Sequence, residues 1–464
     1  MSSKLVTLLC FLAAPLLGQT TPLPPAQDQQ LARDIFKQFV EMKSGYTTGS
    51  TTLVAQAAKA RLRAAGFPDS DIFVGGPAPN KQNLVARLHG TGEHRPLLLL
   101  AHEDVVEANP ADWSPGLDPF ILNERDGYFY GRGTADDKAQ AAIWVATLIR
   151  MKHEGVTPDR DIILALTADE EGGGPYSGIK WLLKNHRDLI DAELALNEGG
   201  YGEIARGRKI ANDLQVAEKY MVTFRLEVHN KGGHSSLPVP DNAIYHLAGA
   251  LTRISDYGFP LKTNEATNAY FGQMSRIETG PAGQALQGFD GTKTSLQRAA
   301  AASPSWNAML RTTCVATQIQ GGHAVNALPQ LATATINCRV LPEDSLEYVQ
   351  QTLTRIIQDP QIAIIPVGDN GKGPASPLSP AIVKAVTQAT TQEWPNIPVV
   401  PILVPYATDG RYLRAAGIPT YGVQGLFMDR DDIRFHGRDE RLLVSSFLEG
   451  QQFLYALVKL LSTK

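Results

Sequence analysis

Three short apolar runs, 97–101, 162–167 and 194–197, each lead directly into acidic or imidazole side chains: His102 and Asp104, Glu170 and Glu171, and Glu198. Each run is too short for a helix and is apolar at successive positions, the pattern of a strand buried on both faces. Helical spacing of apolar residues surrounds them at 31–43, 53–65, 139–153 and 178–185, with Gly155 as a stop signal after the third. Short strands are predicted at 73–74 and 83–88, and the run at 194–197 extends back to 192. Strands alternating with helices predict an α/β fold, a mostly parallel sheet with helices on both faces. Such sheets build their sites beyond the carboxyl ends of the strands. The His, Asp and Glu residues fall there.

Near Ala217 the pattern changes. Residues 221–228 alternate strictly, with Val222, Phe224, Leu226 and Val228 on one side, which predicts a strand with one wet face. A helix at 242–254, alternating strands at 312–320 and 332–340, a helix at 345–358 and a strand at 362–367 follow. This β-α-β-β-α-β order predicts a small inserted α+β unit. The expected division is a catalytic metal-binding domain over 31–216 and 369–464, interrupted by the insertion at 217–368. The Gly-, Pro- and Ser-rich stretch 371–380 is the return crossing. Segments 381–394, 399–404, 411–416 and 420–423 then resume the α/β pattern, and a helix at 444–461 closes the chain.

The composition is that of a globular protein: 464 residues, 43% hydrophobic and 19% charged, with net charge −4. That balance argues against a nucleic-acid partner, and no basic run suggests a membrane surface. Lys4, the apolar run 5–17 and Gly18 describe a signal peptide over 1–19, followed by a flexible leader over 20–30, so a secreted or periplasmic protein is expected. The run is too short to anchor in a bilayer, which takes ~20 apolar residues. Of three cysteines, Cys314 and Cys338 remain after cleavage, as a disulfide or as two buried thiols. Neither has the spacing of a thiolate metal site.

Imidazole and carboxylate donors together suit borderline divalent metals, zinc first. A pair of ions about 3.5–4 Å apart needs one carboxylate between them and the other donors divided. His102, Asp136, Glu171, Glu198 and His436 meet that demand. Asp104, two residues beyond His102, is expected to accept the other imidazole N–H and fix the tautomer. Asp136 precedes a helix, so it or Asp137 could instead be a cap. Glu170 and Glu171 are adjacent and cannot easily share one role. One can ligate while the other takes a proton from metal-bound water. Two solvated loop glutamates are the plainer alternative.

These residues resemble the co-catalytic metallohydrolases that include carboxypeptidase S, aminoacylase-1, acetylornithine deacetylase and succinyl-diaminopimelate desuccinylase. The matching motifs are His102-Glu103-Asp104, Asp126 to Lys138 with Gly131-Arg-Gly-Thr-Ala-Asp136, Thr167-Ala-Asp-Glu-Glu-Gly172, Asn197-Glu-Gly-Gly200 and Gly232-Gly-His234. Asn326-Ala-Leu-Pro329, Arg339, Thr408-Asp-Gly-Arg411 and Phe435-His436-Gly437 complete the set. The resemblance implies that Asp136 bridges two divalent ions (zinc, with cobalt or manganese as alternatives). His102 and Glu198 would complete one site, Glu171 and His436 the other. It further implies Glu170 as general base and acid, a cis peptide between Asp136 and Asp137, and His234 as an oxyanion donor that reaches a neighbouring subunit's site. Asn326, Arg339 and Arg411 would contact substrate, Arg339 as a clamp on a carboxylate.

The expected activity is therefore hydrolysis of a C-terminal peptide bond or an N-acyl amino acid amide by metal-bound hydroxide. An aminoacylase or dipeptidase is the alternative, and the resemblance implies that the insertion at 217–368 is a lid or dimerisation domain through which a homodimer is expected. A catalytically silent peptide-binding relative should have lost a ligand or Glu170, and none is missing. A single-domain aminopeptidase would lack the insertion. Two stretches fit no known motif: 268–302, and 428–434 just before His436.

Overall fold

The computed structural model describes residues 23–172 and 174–463. The proposed signal peptide lies outside the described residues. A ten-stranded sheet forms the centre, running in the order Ile72–Ala78, Lys81–Leu88, Ile162–Thr167, Leu97–His102, Leu194–Asn197, Thr420–Gly422, Arg208–Glu218, Gly202–Ala205 and Phe427–Asp429. Val399–Val404 pairs alongside Arg208–Glu218, off this path. Leu97–His102 is parallel to both of its neighbours. The α/β architecture with a mostly parallel centre is thus the one the hydrophobic pattern predicts.

Leu97–Leu100 shows why that strand is apolar throughout. Leu97 and Leu99 join the core formed with the helices Ala26–Val40, Lys138–His153 and Val444–Ser462. Leu98 and Leu100 face the opposite layer, with Ile179, Leu182 and Ile190. Both faces are covered, so alternation disappears. The first helix starts at Ala26, inside the stretch expected to be a flexible leader. Its early start is held by Asp28, whose carbonyl accepts from Gln451 and whose carboxylate pairs with Arg150.

A second, four-stranded antiparallel sheet has the order Thr313–Gly321, Leu331–Val340, Tyr220–His229 and Ile362–Val367. Val222, Phe224, Leu226, Val228, Ala334, Ile336, Cys338 and Val340 are buried beneath the helices Ala243–Asp256 and Leu346–Ile357. Arg339 and Met221, directly opposite one another in register, point to the other face. Cys314 and Cys338 are also register partners and form a disulfide, which settles the two options left open above.

The unrecognised stretch 268–302 falls within a run of helices, Glu265–Ile277, Gly280–Leu286, Lys293–Ala302 and Pro304–Leu310. Phe271, Met274, Leu286 and Leu296 pack with Ala211 and Val400. This run therefore covers one region of the central sheet. Among the described residues, no helix is long and apolar enough to cross a membrane.

Candidate metal centre

Leu97–His102 ends on the candidate ligand His102, and Glu198 directly follows Leu194–Asn197. Glu170 and Glu171 lie just past Ile162–Thr167, and Asp136 lies just ahead of the helix Lys138–His153. His436 comes from the far end of the chain with φ 59°, left-handed backbone uncommon for a side-chain-bearing residue. The peptide between Asp136 and Asp137 is cis.

These five side chains converge in two groups that share Asp136. His102 Nε2 lies 2.9 Å from Asp136 Oδ1 and 3.9 Å from Glu198 Oε1. His436 Nε2 lies 3.2 Å from Asp136 Oδ2 and 3.0 Å from Glu171 Oε1. Asp136 thus offers one oxygen to each group, the arrangement needed to sit between two cations.

Electrostatics points the same way. Burial first, then neighbouring carboxylates, pushes the Glu198 and Glu170 carboxyls well above the usual range, and Glu171 follows in the same direction. Burial would raise Asp136 too, but hydrogen bonds from His102 and His436 hold it far below. Those hydrogen bonds, to Asp136 and then Glu171, raise His436 to about 10. So much acid in one buried place asks for positive charge, and divalent ions supply it. The donor set fits two of them.

Asp104 departs from its expected role. His102 Nδ1 hydrogen-bonds the backbone carbonyl of Asp104 at 2.9 Å, while the Asp104 carboxylate stands 3.8 Å away. That carboxylate instead accepts the backbone N–H groups of Glu170 at 3.0 Å and Glu171 at 3.1 Å. The main chain fixes the imidazole tautomer, and the side chain holds the acidic pair. Neither Asp136 nor Asp137 caps the following helix through its side chain. Asp137 is buried and accepts from Gln424 Nε2.

Two cavities meet at this centre. One, of about 240 Å³, is mostly aromatic or small in its lining beyond the acidic cluster: Ala135, Tyr201, Tyr406, Ala407 and Phe435. The rings of Tyr201 and Phe435 pack edge to face at 6.1 Å. The other, of about 260 Å³, contains Arg339, Arg411, Met221 and Asp409. Glu170, Glu171, Tyr406, Ala407 and His436 line both.

The Arg339 guanidinium makes no hydrogen bond or ion pair among the described residues, and burial and then the Arg411 charge lower its pKa. Arg411 is buried and bonds the Tyr412 hydroxyl, yet its Nη1 has no partner. Asp409 accepts from Thr167 Oγ1 at 2.7 Å, and burial raises its carboxyl to about 7. The Glu170 carboxylate makes no hydrogen bond or ion pair among the described residues.

Two anticipated contacts lie elsewhere. His234 lies on the two-stranded ribbon of Gly233–His234 and Ala327–Leu328, Asn326 directly precedes its second strand, and both are exposed and line neither cavity. Tyr201, Tyr406 and Asp409 were missed by sequence reading. Asp409 sits inside a motif already singled out for Arg411, whereas the tyrosines carried no local signal. Arg430, in the unmatched segment before His436, pairs with Glu278 at the end of Glu265–Ile277. The added helices are thereby tied to the strand leading to the rim.

Residues 98–460 match the family described as Peptidase family M20/M25/M40. The chain is 29% identical over 373 residues to the N-fatty-acyl-amino acid synthase/hydrolase PM20D1 of Xenopus tropicalis, covering 78% of this chain and 72% of that protein. It is 28% identical over 375 residues to the probable carboxypeptidase S-like 2 of Dictyostelium discoideum, covering 79% and 71%. The M20 family metallo-carboxypeptidase Sso-CP2 of Sulfolobus solfataricus superposes with a TM-score of 0.70 at 16% identity, over 92% of this chain and 98% of that one.

Proposed function

Because the chain belongs to Peptidase family M20/M25/M40 and is a metal-dependent hydrolase, we propose that it cleaves N-acyl amino acids and peptides with a blocked amino end and a free C-terminal carboxylate. The observation that carries this reading is the position of the candidate metal ligands between an apolar cavity and one containing two incompletely paired guanidinium groups. The acyl or penultimate portion occupies the first. The carboxylate enters the second, where the Arg339 guanidinium has no ion pair among the described residues and Arg411, 4.0 Å from Asp369 through Nη2, leaves Nη1 without a partner.

The zinc ions proposed here, held by His102, Asp136, Glu198, Glu171 and His436, would polarise the scissile carbonyl and lower the pKa of water. Glu170 lines both cavities, so it can take the proton of the attacking water and return it to the leaving nitrogen. Asp104 keeps Glu170 and Glu171 pointing to their separate tasks through their backbone N–H groups. Free dipeptides should be poorer substrates. The apolar cavity has no acid other than the metal-ligand set and Glu170 to pair with an α-ammonium. Comparing N-acyl amino acids with free dipeptides of the same C-terminal residue tests this, and a preference for the free dipeptides would overturn it.

Arg339→Ala is expected to raise KM roughly 10- to 150-fold, matching the ~1.5–3 kcal/mol of a hydrogen bond to a charged group. The change in kcat should be small. Steady-state kinetics on a carboxylate substrate and its amide separates the roles: an equal loss on both removes the clamp.

We propose a homodimer in which His234 serves the partner's site. Val315 and Ile319 are exposed on the edge strand Thr313–Gly321, and Leu237 and Tyr245 are exposed nearby in sequence to His234. His234 Nδ1 accepts the Ser236 N–H, leaving Nε2 as the donor. Mixing inactive His234→Ala and Glu170→Gln proteins under exchange conditions should restore up to about a quarter of wild-type activity, since half the dimers are mixed and each has one complete site. Export is part of the same proposal, supported by the 1–19 pattern and by the Cys314–Cys338 disulfide.

A further inference from the structure

His436 and Asp136 are 300 residues apart in sequence, yet their separation decides whether the second ion has a site. Glu440 lies four residues past His436, is buried, and is a member of neither ligand group. Its carboxylate accepts four donors from the segment ending in Asp136. These are Arg132 Nη1 at 2.6 Å, Gly133 N at 3.1 Å, Ala135 N at 2.8 Å and Asp136 N at 3.3 Å. Arg132 closes the circuit, because its Nη2 donates to the carbonyl of Gly437 at 2.9 Å.

The surrounding chain extends the joint. Gly131 N donates to the Glu440 carbonyl at 3.1 Å, and Arg441–Leu443 pairs antiparallel with Tyr128–Tyr130. Gly133 has φ 84°, and an added Cβ would stand 2.8 Å from Val105, so the loop that reaches Glu440 requires glycine. His436 itself is in the left-handed region, a conformation that persists only when its surroundings impose it.

We propose that Glu440 and Arg132 are positioning residues that lock the His436 segment to the Asp136 loop and so set the affinity of the Asp136–Glu171–His436 site. This rests on the two-ion reading above. The His102–Asp136–Glu198 site shares only Asp136 with the joint and draws its other donors from central strands, so it depends on the clamp less.

The test is a competitive chelator titration of the full-length metal-free protein with zinc, followed by differential scanning calorimetry. Wild type should bind two ions in two resolvable steps. In Glu440→Gln the amide supplies one oxygen where two serve four donors. The weaker of its two steps should shift about 10- to 100-fold, the range for losing a partner behind a ligand, while the other moves less than about 3-fold. Arg132→Lys keeps the charge beside Glu440 but cannot also reach Gly437, and should show the same selective shift. It serves as the second probe if Glu440→Gln does not fold. Two unshifted steps in a folded variant, or equal shifts in both, would overturn the clamp. A wild-type protein that binds no ion would instead overturn the metal centre itself.

Discussion

Asp136→Asn is expected to leave the protein with less than one bound zinc ion per chain and to cut kcat by roughly 10³-fold or more, beyond the ~10–100-fold reached by losing a partner behind a ligand. The reason is geometric. Oδ1 of Asp136 faces His102 and Oδ2 faces His436, and Asp136 is the one residue common to both ligand groups. An amide replaces one of those oxygens with a donor that cannot ligate. It also removes the negative charge held lowest in the cluster by its two imidazole neighbours. Elemental analysis after gel filtration, with kcat on an N-acyl amino acid, measures both effects. Chelation of wild type should reproduce the loss and added zinc should reverse it. Two retained ions in the variant would mean that Asp136 does not bridge.

That prediction could be framed from sequence because the candidate ligands stand at element ends, where a buried strand must expose whatever follows it. The apolar strands Leu97–His102 and Ile162–Thr167 were legible for the same reason. Arg208–Glu218 was not. Asn212, Asp213, Gln215 and Glu218 are buried in it, so neither alternation nor an apolar run marks it. Two of them find remote partners, Asn212 with Thr390 and Glu218 with Arg414 and Thr408, while Gln215 donates to Glu218 three residues on. Glu440 was hidden likewise, since a carboxylate in a polar loop gives no sign of gathering backbone N–H groups some 300 residues away. Asp104 shows a subtler limit. Its spacing from His102 suggests side-chain contact, but the strand ends at His102, and beyond it the Asp104 carbonyl lies at the imidazole while the carboxylate accepts from the Glu170 and Glu171 N–H groups.

The second large effect is expected at Glu170, where glutamine should lower kcat about 10²- to 10⁴-fold, the usual range for a positioned acid–base group. Zinc content should remain at two. Glu170 belongs to neither ligand group, it lines both cavities, and burial raises its carboxyl well above the ordinary range, which suits a group that must both accept and release a proton. Glu171 beside it faces His436 instead, so the pair divides the labour that adjacent residues cannot share. Asp409 is the competing candidate, being in the same cavity with a raised carboxyl. Its hydrogen bond from Thr167 fixes it against the strand end, so Asp409→Asn should cost less than Glu170→Gln. The decisive measurement is kcat with metal content for both variants. If Asp409→Asn proved the more damaging with both ions in place, the proton would travel by Asp409; if Glu170→Gln lost an ion, Glu170 would be a ligand.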